Sequence, residues 1–258
     1  MKRIKRPSRR MTIGLTLGGV VLLIAAAWAG GFFLNDSSRP ASISQALRRF
    51  RAGGHDSGGL NGVYLYATKG SESINALGGV KHIYPAKTSI TVIDVPCGIR
   101  LRWDALQDRS TTWTFCSTAA GIEFRISDER HAFFGQSDHT VYTCSGRLLV
   151  PKKVVAGATK PYSCRSNQNL EVGELRVIGR GTLEVGGSRV HAIRVRSTSK
   201  NVHSHDSGSE MIDWWLASAT GLPLRVELRS RAGRKEWVGV VRYKEDFSLR
   251  LLSLAPLH

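Results

Sequence analysis

The stretch WWLASATGLPLRVELR, Trp214 to Arg229, decides the fold. Its second half alternates: Leu222, Leu224, Val226 and Leu228 fall on one side of an extended chain, and Pro223, Arg225, Glu227 and Arg229 on the other. A period of two with one apolar face is the signature of an antiparallel strand that is half buried. Thr220-Gly221 supplies the reversal, and Pro223 stands where a strand start tolerates the missing N–H. Before the turn, Ile212, Trp214 and Leu216 share a face, which sets Asp213 and Trp215 on the opposite one. Whichever face is core, one indole lies on the other and needs a cover of its own.

The same period runs outward in both directions. Ile99, Leu101 and Trp103 alternate with Arg100, Arg102 and Asp104; Ile122, Phe124 and Ile126 with Glu123, Arg125 and Ser127; Phe247, Leu249 and Leu251 with Ser248 and Arg250. Turn signals at Gln107-Asp108, Gly186-Gly187, Thr220-Gly221 and Ala232-Gly233 separate the runs at hairpin distances. Roughly ten strands over residues 60–258 are expected on this reading. Short helices are expected around Ser71 to Leu77 and within the Cys144 to Cys164 segment. Ile43, Ala46, Leu47 and Phe50 recur at helical spacing, and Ser42 with Gln45 forms a capping box. Residues 35–59 therefore read as a stem helix, lying on a membrane or packed on the domain, followed by a glycine-rich linker.

Upstream, Met11 to Leu34 is a run of twenty-four residues without a charge. At about 1.5 Å per residue it spans a hydrocarbon core of about 30 Å. The six basic residues of the 1–10 tail hold the N-terminus inside, which sends everything after Leu34 out of the cytoplasm. A retained single-pass anchor is expected; the competing reading is a signal peptide cut after Ala29. Beyond it lie 224 residues carrying a net charge of +11 out of the +17 total. Such a field favours the membrane surface, an anionic envelope polymer or an acidic protein partner. No stacking motif or zinc-finger spacing supports nucleic acid.

All four cysteines, Cys97, Cys116, Cys144 and Cys164, lie on the exported side, where disulfides persist. The sequential pairing brackets two segments of about twenty residues each. If Leu101 faces Trp113 and Ile99 faces Phe115, then Cys97 and Cys116 fall on opposite faces, and a bulge at Pro96 to Gly98 is expected to repair the register. No cofactor, metal or catalytic motif is legible. His203, His205 and Asp206 are the best metal ligands on offer, and they read as a loop.

Trp214 to Arg225 also resembles the hairpin of the LolA-type lipoprotein-carrier superfamily, in which a strand ends in W-L-D-P-x-T-G-L-P-L-R. GTLEVGGSRVHAIRVRS (Gly181 to Ser197) is similar to the hairpin that precedes it there. Ser218-Ala219 stands in place of the usual Asp-Pro, and the disulfides and anchor are departures. The resemblance implies a strongly curved antiparallel half barrel with an apolar concave face, and a ligand with an acyl chain. The expected function is a membrane-anchored extracytoplasmic binding domain for a lipid or acyl chain, with Trp214, Trp215, Trp237, Phe247 and Leu224 as cavity residues. The alternative is an envelope interaction or regulatory scaffold domain without a small ligand; an enzyme is the weakest reading.

Overall fold

The computed structural model describes residues 38–258 except 57, 135, 203–205, 237 and 238. The apolar run 11–34, and with it the expected anchor, lies outside the described residues. Among the described residues no helix is long and apolar enough to cross a membrane.

Among the described residues there are fourteen antiparallel strands: β1 (Gly62–Ile74), β2 (Val80–Ile83), β3 (Lys87–Val95), β4 (Gly98–Leu106), β5 (Arg109–Thr118), β6 (Gly121–Phe133), β7 (Gln136–Ser145), β8 (Leu148–Pro151), β9 (Thr159–Arg165), β10 (Leu170–Val185), β11 (Ser188–Asn201), β12 (Asp206–Ala217), β13 (Pro223–Glu236) and β14 (Gly239–Leu251). Neighbours in sequence are neighbours in the sheet except that β1 pairs with β3 and β7 with β9, and β14 then pairs with β1 from Tyr66↔Leu251 to Ile74↔Tyr243. That last ladder corrects the open half barrel to a closed barrel, in which residues 136–142 of β7 are paired on the β6 side only. Twelve lanes form the ring, because β2 continues the lane of β3 beside β1, and β8 that of β7 beside β6. The seam of the ring is β7 with β9, only three residue pairs long, and the Cys144–Cys164 disulfide sits in the middle of it.

The second disulfide joins Cys97 to Cys116, so the sequential pairing is the observed one. The register is also as expected, with Gly98 opposite Cys116 and Leu101 opposite Trp113. The expected bulge is absent. Val95 pairs with Gly98, so Cys97 lies in the two-residue turn Pro96-Cys97, where strand parity no longer dictates which way a side chain points. The Ala232-Gly233 turn is also corrected: both residues are inside β13, and the reversal comes after Glu236.

One α-helix is described, α1 (Ile43–Ala52), capped by Ser42, whose hydroxyl accepts from the Gln45 amide. It packs on the outside of β1 and β3, burying Ala46 and Phe50 against Val63, with Leu47 and Ile93 alongside. Arg49 pairs with the buried Asp104 at 2.6 Å. The stem is thus part of the domain. The helix expected near Ser71 is strand running into a 3-10 turn at Ala76–Gly78, and the segment between Cys144 and Cys164 is strand and turn.

Because strands alternate in direction, the turns after β1, β4, β6, β9, β11 and β13 all lie at one end of the barrel. The other end is filled. Trp214 meets Trp113 edge-on at 5.2 Å and Phe115 at 5.6 Å, while Trp103 packs on Phe247 at 4.4 Å. Leu224, Val226, Leu249 and Leu101 complete this floor with no exposed surface. Each aromatic ring here removes some 150–250 Å2 from water, on the order of 5 kcal/mol apiece before chain entropy is counted.

Candidate functional site

Above the aromatic floor the inward-facing residues change character. On β14 the inward parity of Leu251, Leu249 and Phe247 continues to Glu245 and Tyr243; on β12 that of Leu216, Trp214 and Ile212 continues to Glu210. On β1 it carries Tyr64 and Tyr66 up to Glu72 and Ile74. On β6 the parity is reset. The β5–β6 register shifts between Thr114 and Phe115, leaving Arg125 as the extra residue. Phe124 points in, Ile126 is turned out to solvent, and Ser127, Glu129 and His131 face the lumen. The expectation that Ile126 shares a face with Phe124 fails at this bulge.

The result is a buried charged layer. Arg109, 2 % exposed, donates from Nε and Nη2 to the Glu245 carboxylate at 3.0–3.1 Å and from Nη1 to the Ser110 carbonyl at 2.9 Å. Glu72 accepts from His82 Nδ1 on one oxygen and from His131 Nδ1 on the other, both at 3.0 Å. The Tyr243 hydroxyl lies 3.1 Å from Glu72 Oε2 and from Glu245 Oε2, so one proton serves two carboxylates. Tyr84 donates to Glu245 as well. Burial alone would raise the Glu72 carboxyl, but hydrogen bonds from His131 and His82, with Arg109 nearby, hold it down at about 2. Burial and Arg109 oppose the proton on His131; its bonds to Glu129 and Glu72 outweigh them and lift the imidazole to about 9. Glu129 is likewise held at about 2 against its burial, by His131, Arg109 and Ser127.

Two further carboxyl groups are placed differently. Glu171 on β10 and Glu210 on β12 face a cavity of about 160 Å3 at the turn-rich end, walled also by Ile74, Phe133, Tyr142 and Tyr243. A smaller space of about 50 Å3 beneath it shares Glu129, His131, Glu171 and Glu210 and reaches down to Trp113, Phe124 and Phe247. The cation nearest Glu210 is Arg147, whose Nη2 is 3.6 Å away and bonds more closely to Ser197 at 2.7 Å. The Arg147 guanidinium is itself held between the rings of Phe124 and Tyr162. Burial and repulsion from Glu171 push Glu210 up to about 8, and burial and Glu129 push Glu171 up to about 7. The Glu210 side chain keeps 21 % of its surface, and that surface faces the cavity. Near neutral pH these are two carboxylic acids on the edge of ionisation, looking into a space open at one end.

The expected cavity residues are distributed otherwise. Trp214, Leu224 and Phe247 belong to the packed floor; Phe247 alone of these borders the smaller cavity. Trp215 is on the outside, sandwiched between the guanidinium groups of Arg194 and Arg225 at 4.6 and 4.7 Å, which are the cover its face required. Asp213 beside it is buried on that same outer face and held by Arg194 and Arg196. Trp237, His203 and His205 lie outside the described residues. Among the described residues no cluster of three or more His, Cys, Asp or Glu side chains is disposed to hold a metal ion.

No protein-family model matches the chain, and no curated protein is significantly similar to it. Among solved structures, the hypothetical lipoprotein YmcC from Escherichia coli K12 is similar over 83 % of this chain and 100 % of its own, at 12 % identity and a TM-score of 0.35.

Proposed function

We propose that the chain is a membrane-anchored extracytoplasmic binding module, and that its site is the open end of the barrel, where it takes the polar head of an amphiphile. The observation that carries this is the cavity itself: two carboxyl groups facing it beside the apolar surface of Ile74, Phe133, Tyr142 and Tyr243, with polar side chains such as Gln136, Asn201 and Ser207 around them. About 160 Å3 accommodates a head group of a few heavy atoms, comparable to a cavity that holds benzene. An acyl chain does not fit there, and the floor around Trp214 is full, so the apolar part of the ligand stays at or outside the mouth. A cationic head, such as an alkylammonium, suits the site. Its charge would draw protons off Glu171 and Glu210, and its binding strengthens as pH rises through 7 to 8.

The test is titration of the detergent-solubilised full chain with a fluorescent alkylammonium and with a fatty acid of matched length. Saturable binding of the cationic probe, tighter at pH 8.5 than at pH 6 and lost in Glu171→Gln/Glu210→Gln, supports the proposal. Absence of binding by either probe, or preference for the fatty acid, refutes it. The second reading, an interaction domain without a small ligand, rests on the packed floor and on the exposed Arg194–Trp215–Arg225 stack. It takes the lead if native mass spectrometry of membrane-purified protein finds no bound lipid.

A further inference from the structure

On the outer face near the open end, cations line up across the sheet. Along the ladder, Lys200 of β11 stands beside Ser209 of β12, then Arg231 of β13, Lys244 of β14, Ser73 of β1 and Lys81 of β2. All four cations are exposed, and among the described residues only Arg231 of the four pairs with an acidic side chain, Asp246 at 2.9 Å. Closer to the mouth come Arg242 and the Lys235↔Val240 pair. Like charges directly opposite one another, as Arg231 and Lys244 are, destabilise a sheet. Exposed aliphatic residues are interleaved with them: Ile83, Val202 and Val240.

Two features fix the occupant. The charge selects an anionic surface, and the interleaved aliphatics suit one whose interior is apolar. The described chain also begins at this end of the barrel, since the Arg39 carbonyl accepts from Gln107 N in the β4–β5 turn. Only three residues separate Ser38 from Leu34, the end of the apolar run, a reach of at most ~14 Å. We infer that this basic rim docks on the anionic leaflet in which the anchor is set, turning the mouth of the barrel toward the bilayer. The inference rests on the anchored reading above and deepens it: a ligand's head group enters the lumen while its apolar part remains in the membrane.

The experiment uses the full chain in nanodiscs of phosphatidylcholine, with or without phosphatidylglycerol. All four native cysteines are in disulfides, so a single added thiol is the labelling site. An environment-sensitive fluorophore on Val240→Cys reports the rim, and one on Ser188→Cys reports the opposite end. The expected result is a blue shift and intensity gain at Val240, confined to the phosphatidylglycerol nanodiscs and reversed by high salt. In Lys200→Glu/Lys235→Glu/Lys244→Glu the docked fraction falls, each lost cation counting for about fivefold. Salt titration of the unaltered rim serves if that variant misfolds. Equal emission in both lipids, or a shift at Ser188 instead, overturns the inference. So does a Val240 response to soluble polyglutamate but not to phosphatidylglycerol, which would make the partner an anionic polymer. Probe titration in detergent, with no bilayer present, reports separately on the luminal site.

Discussion

Replacing Glu210 by glutamine should stabilise the protein by an amount that grows as pH rises from about 4.5 to about 8. In the unfolded chain this carboxyl titrates at about 4.5; in the barrel burial and Glu171 carry it to about 8. A group whose folded value is raised favours folding fully while protonated, and that advantage is lost as pH rises through the folded value. At ~1.4 kcal/mol per pH unit the full difference is up to ~5 kcal/mol above pH 8. The side chain faces the cavity with part of its surface and shares its repulsion with Glu171, so the effective cost is about 3 kcal/mol. Glutamine mimics the protonated acid in shape and carries no charge. The assay is thermal unfolding of the detergent-solubilised wild type and Glu210→Gln side by side from pH 4 to pH 9. At pH 4, below the unfolded value, the two should melt together; at pH 9 the variant should melt higher by roughly 6–12 °C, at about 2–4 °C per kcal/mol for a domain of this size. A Tm difference that does not change with pH, or a variant less stable at pH 9, would show that Glu210 is ionised and satisfied by Arg147, and the reasoning would fall.

Arg109→Met should cost about 3–5 kcal/mol in urea unfolding at pH 7, because Glu245 and Glu72 lose the guanidinium between them while remaining buried; a loss under 1 kcal/mol would contradict the geometry. Opening the seam with Cys144→Ala/Cys164→Ala should cost about 3 kcal/mol and speed amide exchange first in β7 and β9, whereas uniform acceleration across the barrel would mean the seam is no weak point. Trp214→Phe should cost no more than about 2 kcal/mol, since the indole N–H has no hydrogen-bond partner, whereas Trp214→Arg should abolish folding by placing a charge in the floor; a folded arginine variant detected by circular dichroism would reopen a cavity there.

The barrel's lower half was legible because its inward parity is written in large apolar residues. Leu222 to Leu228, Ile99 to Trp103 and Phe247 to Leu251 each state their face, and the disulfide pairing followed from spacing. The site was not, since its residues occupy inward positions with polar side chains that alternation assigns to solvent. Extending parity past the ends of the apolar runs would have found Glu245 two residues before Phe247, and Glu210 two before Ile212. No such extension reaches Glu129 and His131, for the bulge at Arg125 inverts every assignment after Phe124. Closure was hidden too, because the β1–β14 pairing joins residues 169 to 185 positions apart and leaves no local trace.

What separates a binding barrel from a merely stable one is how the layer above the floor is filled. Arg109, Glu245, Glu72, His82 and His131 answer one another's charges, and such a network can be replaced by apolar residues with little loss or even a gain in stability. Glu171 and Glu210 are different, since each is worse off in the barrel than in the unfolded chain at any pH where it ionises. Two unfavourable carboxyl groups on separate strands, β10 and β12, converge on one cavity, and the nearby cations are held by other partners, His131 by Glu72 and Arg147 by Ser197, with Arg147 still 3.6 Å from Glu210. The missing positive charge is then the ligand's to supply, and the stability gained by Glu210→Gln at pH 9 is the same free energy that a bound ammonium would recover. The two measurements should agree: the variant that melts higher without ligand should be the one that no longer gains stability from the alkylammonium probe.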